Sequence, residues 1–335
     1  MKTLLFLLLT PSLFLPILTL ASPSALVTVG ILSQPASESI KLQYPFPSED
    51  WTFVAGSYVD WIGSAGAMPV LIPFDLDDAE LYSVLENIDA VLLPGGGSNL
   101  KKRMDTDVPS FYQAAGNKII NWVKKRNDSG KYFPLFATCL GFESLLIDET
   151  NSTTIIECDL DDEVTSHSMD TLPEIDNSTF WTKVGLQLAK KVFQTDSLFY
   201  THSCGIRVTS FLNSKRLTDA YTLLGSSVSR TNIRFVGSIE HKKYPIIGNQ
   251  WHPEKNLFER SQLYSFLDRS DETTELMQRI AAQFVQLARE KGSPRNVKDI
   301  PAKVKKLFSS NRPSETLPLR SYERVYTFQR YKYIK

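Results

Sequence analysis

Two rhythms of apolar residues run along this chain. Leu26-Val-Thr-Val-Gly-Ile-Leu32, Met68 to Pro73, Asp89-Ala-Val-Leu-Leu93 and Phe133 to Ala137 are short, nearly unbroken apolar runs, and their length predicts buried strands. Between them apolar residues recur three or four apart. Ser48 to Ala67 (Phe53, Val54, Tyr58, Trp61 and Ile62, stopped by Ser64-Ala-Gly66), Glu80 to Ile88 and Phe111 to Lys125 read as helices. Glu275 to Glu290, apolar at 276, 277, 280, 281, 284, 285 and 288, predicts an amphipathic helix that packs back on the sheet. Strands that alternate with helices require parallel pairing through crossovers. The fold class is therefore α/β: an open, doubly wound, mostly parallel sheet flanked by helices. Arg234 to Glu240 and Tyr244 to Trp251 read as a hairpin, and Thr150 to Thr179 as strand and loop on one edge. Ligand sites in such sheets lie beyond the carboxyl ends of the strands.

The N-terminus changes the picture of where this fold works. Lys2, an apolar run from Leu4 to Leu20 and then Ala21-Ser22 describe a secretory signal peptide over 1–21, cleaved after Ala21. Pro11 and Pro16 interrupt the run, which is short for a membrane span. Asn127-Asp-Ser129, Asn151-Ser-Thr153 and Asn177-Ser-Thr179 are glycosylation sequons that agree with a secretory route. Residues 22–292 form one large catalytic domain on this reading. From 293 to 335 bases outnumber acids, and Tyr322, Tyr326, Phe328, Tyr331 and Tyr333 gather; this extension is expected to wrap the domain surface rather than contact nucleic acid. Lys plus Arg number 37 and Asp plus Glu 37, so no global field argues for nucleic acid or an anionic membrane. The exterior and an acidic organelle (lysosome or vacuole) both remain open as destinations, and a homodimer is neither required nor excluded.

Candidate chemistry centres on Cys139, in Phe133-Pro-Leu-Phe-Ala-Thr-Cys-Leu-Gly-Phe-Glu143. A thiol on a tight strand-to-helix turn is lifted clear of the sheet, with a helix N-terminus beneath it to favour thiolate. The N–H of Leu140 then points where an oxyanion forms. The plain alternative is a buried core cysteine. Three cysteines in an oxidising route leave at least one unpaired; a Cys158–Cys204 disulfide and two further free thiols are both open. A thiolate needs a base and an orienter for that base. His252 follows an apolar strand, with Glu254 two residues on, on the same side if the backbone is extended. A surface turn histidine is the competing reading.

Pro94-Gly-Gly-Gly97, Thr-Cys139-Leu-Gly-Phe-Glu143 and Gln-Trp-His252-Pro-Glu254-Lys255, in that order, resemble the class I glutamine amidotransferase-like superfamily, whose fold is a flavodoxin-like three-layer sandwich. Gly30-Ile-Leu-Ser-Gln-Pro35, Ala55-Gly-Ser-Tyr58-Val59 and Glu240-His-Lys-Lys-Tyr-Pro245 resemble its γ-glutamyl hydrolase branch in particular. The resemblance covers about Ala25 to Ala288. It implies cleavage of γ-glutamyl isopeptide bonds in folate poly-γ-glutamates, with no metal or cofactor. It also implies Cys139 as nucleophile, His252 as base, Glu254 as its orienter, and N–H groups of Gly96 or Gly97 and Leu140 as oxyanion hole. Tyr58 corresponds to a site-lining tyrosine and His202 to a substrate-side histidine. A polyanionic substrate calls for basic residues along the cleft. Two departures stand out: Ala137 where a glycine is usual, expected to strain the turn slightly, and Cys204 where a bulky aromatic is common. A glutaminase subunit that feeds a synthetase, or a non-catalytic binding protein on the same fold, is the alternative; an intact Cys139, His252 and Glu254 speaks against the latter.

Overall fold

Among the described residues thirteen strands carry the architecture: β1 (Val27–Leu32), β2 (Gln34–Pro35), β3 (Trp51–Ala55), β4 (Ala67–Ile72), β5 (Ala90–Leu93), β6 (Leu135–Thr138), β7 (Asp162–His167), β8 (Asp170–Thr171), β9 (Leu198–His202), β10 (Tyr221–Val228), β11 (Arg234–His241), β12 (Ile246–Asn249) and β13 (Val325–Gln329). The structure, a computed structural model, describes residues 26–36, 40–41, 51–102, 107–291 and 322–329. The expected signal peptide lies outside the described residues. Eight strands form the central sheet in the order β4-β1-β5-β6-β12-β11-β10-β8. The first five are parallel, and β11, β10 and β8 extend the edge antiparallel. The fold is thus the expected α/β sheet, mostly parallel and covered by helices.

Helices cover both faces, because both faces of the parallel strands are apolar. Successive side chains point to opposite faces. Leu92 of β5 and Phe136 of β6 join one core, with α1 (Gly56–Ser64), helices over 179–193 and α6 (Asp271–Lys291). Val91, Leu93, Leu135 and Ala137 join the other, with α2 (Asp78–Leu85), α3 (Phe111–Asp128), α4 (Leu140–Thr150) and helices over 208–220. The long amphipathic helix is as its periodicity requires: Leu276, Met277, Ile280, Ala281, Phe284, Val285 and Ala288 are all buried. Among the described residues no helix is long and apolar enough to cross a membrane.

One expected helix is in part a strand. Trp51–Ala55 is β3, and only from Gly56 does the chain turn helical. β3 pairs antiparallel with β2 and, over Val325 to Gln329, with β13. Its second partner comes from the far end of the chain, which local periodicity does not register. Part of the C-terminal extension is therefore built into the fold, with Tyr322 and Val325 buried.

The loop before β7 is clipped to the end of β9. Glu157 and Gly205 exchange both backbone hydrogen bonds, at 2.8 and 2.9 Å, and a disulfide joins Cys158 to Cys204. Cys139 is the free cysteine. The residue that replaces the usual aromatic therefore serves as a covalent staple beside the cleft. Of the sequons, Asn127 is committed to structure: its Nδ2 donates to Val123 and Phe133 carbonyls at 2.8 Å each, and its Oδ1 accepts from Phe133 N–H at 3.1 Å. Asn151 and Asn177 are exposed.

Candidate active site

Strand ends converge on one point. β5 runs into the glycine turn, β6 into Cys139 and β12 into the turn that bears His252, all at carboxyl ends of neighbouring parallel strands. Cys139 caps α4 at φ 49°, ψ −110°. A side-chain-bearing residue holds that conformation only when its surroundings force it, at a cost of about 1–3 kcal/mol. They do so here: Cys139 N–H donates to Asn249 O at 2.8 Å and Glu143 N–H to Cys139 O at 2.9 Å. Gly141 lets the helix start against β5, since a Cβ there would stand 2.1 Å from Leu93 O. Ala137, by contrast, lies in regular register between Leu93 and Gly248 and is not among the positive-φ residues. The strain expected at Ala137 lies at Cys139 instead.

Gly95 marks the centre. A Cβ added to it would meet His252 Cε1 at 2.5 Å, Tyr58 Oη at 2.7 Å and Cys139 Cβ at 3.0 Å. Thiol, imidazole and phenol thus meet around a space that only glycine leaves open. Gly95 N–H donates to Tyr58 Oη at 2.7 Å, and Gln34 Nε2 donates to Gly95 O at 2.7 Å. Gly96 is packed on Gln34, whose amide would overlap any side chain there.

His252 and Glu254 are joined, though not through extended backbone. Pro253 and Glu254 form a turn, with Glu254 helical at the start of α5 (Lys255–Phe258), and Glu254 Oε1 accepts from His252 Nδ1 at 2.8 Å. A carboxylate on Nδ1 fixes the proton there. Nε2 is buried and without a hydrogen-bond partner among the described residues. Tyr58 Oη lies 3.2 Å from the same Nδ1. Fully buried, Tyr58 backs the histidine instead of lining the cleft.

A cavity of about 320 Å³ opens over Cys139, bordered by Gly96, Gly97, Leu140, Glu143 and His202. It brings Gly96, Gly97 and His202 to the thiol, with Leu140 beside them. His202 Nδ1 donates to Cys204 O at 2.8 Å, so its unpartnered Nε2 is an acceptor. Burial holds this imidazole down at about 4. Basic residues do not dominate the walls: among the described residues the cavity has Lys101 against Glu143 and Glu163.

The electrostatics differ from the thiolate expectation. Burial, then Glu143, pushes the Cys139 thiol well above its ordinary range, against the lowering effect of Leu140 N–H. Burial also lowers His252, with Glu254 opposing. Both shifts favour the uncharged forms, thiol on Cys139 and neutral imidazole on His252. Glu143, absent from the roles read in the sequence, is raised to about 8 by burial, with Gln250 opposing at 3.1 Å. Its position one turn after Cys139 was the available signal. Gln34 gave no chemical signal, because it acts on backbone.

Known proteins resemble this chain along most of its length. The family model described as Peptidase C26 matches residues 28–254. Gamma-glutamyl hydrolase 1 of Arabidopsis thaliana is 29% identical over 264 residues, 78% of this chain and 72% of that protein. Gamma-glutamyl hydrolase of Rattus norvegicus is 31% identical over 216 residues, 63% of each. Gamma-glutamyl hydrolase of Bos taurus is 29% identical over 281 residues, 82% of this chain and 83% of that protein.

Proposed function

The chain belongs to the peptidase C26 family, and from that premise we propose that it hydrolyses γ-glutamyl isopeptide bonds of folate poly-γ-glutamates. The observation that carries the reading is the meeting of Cys139, His252 and Tyr58 at Gly95, with Glu254 on the far nitrogen of the imidazole. Relatives named for γ-glutamyl hydrolysis support the bond cleaved.

The chemistry follows from the proton inventory. The Cys139 S–H proton passes to His252 Nε2 as sulfur attacks the γ-carbonyl carbon. Leu140 N–H and a glycine N–H from Gly96 or Gly97 receive the oxyanion, a donor of this kind being worth ~10²–10³ in rate. His252 then protonates the leaving α-amine and a thioester remains. Water, deprotonated by His252, cleaves it and returns the thiol. Glu254 stabilises the imidazolium that forms twice in the cycle. The disulfide beside the cleft supports a secretory route, exterior or acidic organelle.

Chromatography of products from a pteroylpentaglutamate digest, run with wild type and Cys139→Ser, tests the reading. Shortened pteroylglutamates from the wild type alone are expected. Undiminished cleavage by Cys139→Ser, or cleavage of α-linked glutamyl peptides at equal rate, would overturn it.

A further inference from the structure

Lys255 follows the His252–Glu254 pair directly, and its ammonium is buried. Aromatic rings enclose it: Nζ lies 4.6 Å from the ring centroids of Tyr264 and Tyr322 and 5.5 Å from that of Phe199. It also donates to Tyr264 Oη at 3.3 Å. A cation among π faces, out of water, is held by the ring quadrupoles. The cage touches the base directly. His252 N–H donates to Phe199 O at 2.9 Å, and the Phe199 and His252 rings are 5.9 Å apart.

One wall of this cage comes from the opposite end of the chain. Tyr322 precedes β13, and its neighbours are tied to both parts of the site. Glu323 N–H donates to the carboxylate of Glu259, the buried acid that faces Lys255. Gly56 N–H donates to Arg324 O at 2.7 Å, and Arg324 pairs with Asp60. Both Gly56 and Asp60 lie on α1, the helix that carries Tyr58. A Cβ at Gly56 would stand 2.9 Å from Arg324 Cβ, so the approach is close. The segment from Tyr322 lies beyond the residues matched by the family model.

We propose that the C-terminal segment is a working part of the active site, with Tyr322 closing an aromatic cage that fixes the Lys255 cation behind His252 and Glu254. Lys255 and Tyr322 are then positioning residues for the Cys139–His252 pair. The groups that face the cation are Glu254, Glu259, Tyr264 and Tyr322. A positive charge held there favours thiolate on Cys139 and resists protonation of His252, the same direction at both groups. If water enters the cage, that field is screened and both groups hold their protons to higher pH.

The test compares Tyr322→Phe, which keeps the π face, with Tyr322→Leu, which fills the space without one. The first readout is the pH dependence of iodoacetamide alkylation at Cys139, followed on the intact disulfide-bonded protein, and it needs no substrate. Tyr322→Leu should move the alkylation limb to higher pH by about half a unit or more, and Tyr322→Phe should leave it in place. The second readout, which rests on the γ-glutamyl hydrolase reading, is turnover of poly-γ-glutamate: a fall of roughly tenfold in kcat for Leu with KM little changed, restored by Phe. A Leu variant with an unmoved alkylation limb overturns the proposal, even if its melting temperature drops. So does a Phe variant shifted as far as Leu. A shifted limb in a protein that cleaves no γ-glutamyl substrate upholds the cage and rejects the substrate reading instead.

Discussion

Tyr58 Oη stands 3.2 Å from His252 Nδ1 and accepts the Gly95 N–H at 2.7 Å, linking the base to the glycine turn through one hydroxyl. Tyr58→Phe removes both contacts and leaves a buried N–H unpaired, a loss of ~1–3 kcal/mol. The expected outcome is a kcat reduced by roughly tenfold to a hundredfold with KM changed little. Steady-state kinetics on a γ-glutamyl substrate and a denaturation curve check the two parts separately.

Gly95→Ala should be more damaging than its size suggests. The added methyl would enter the space shared by His252, Tyr58 and Cys139. Activity is expected to fall by at least ~10²-fold, since small misplacements of reacting groups are costly. Alkylation of Cys139 and the melting temperature should be recorded with it; a variant as active as wild type would contradict the packing described.

Glu143 makes stability and activity depend on pH. Its carboxyl is raised from 4.5 to about 8 by burial. The folded state is favoured in full while the unfolded chain also keeps that proton, below about 4.5. That advantage is lost as pH rises toward about 8. Glu143→Gln should flatten this decline in melting temperature. It should also move any alkaline loss of kcat/KM upward, because no carboxylate then forms beside the thiolate. Melting curves and pH–rate profiles of both proteins test this, and identical profiles would refute it.

The Cys158–Cys204 bridge, with a sequence separation of 46 residues, should contribute about 2–4 kcal/mol. Both cysteines border the cavity over Cys139, so the double variant Cys158→Ser/Cys204→Ser is expected to raise KM as well as lower stability. Denaturation with and without reductant, paired with kinetics, measures both. A wild-type protein insensitive to reductant would count against the bridge.

The sequence by itself determined the alternation of strands and helices, the two-faced core and the candidacy of Cys139, His252 and Glu254. These are local matters: side-chain period, a turn residue and chemistry-bearing neighbours a few positions apart. Tertiary structure decided the rest. β3 is a strand because residues 325–329 pair with it, and no window around Trp51 contains that partner. Tyr58 backs His252 instead of lining the cleft because α1 delivers it from beneath. The Cys139 thiol is pushed up because burial and Glu143 outweigh the Leu140 N–H, a balance of desolvation that only the packed fold establishes. His252 meets Glu254 through a turn, not along an extended strand. In each case the deciding contact is long-range or depends on burial, and a linear pattern carries neither distance nor dielectric.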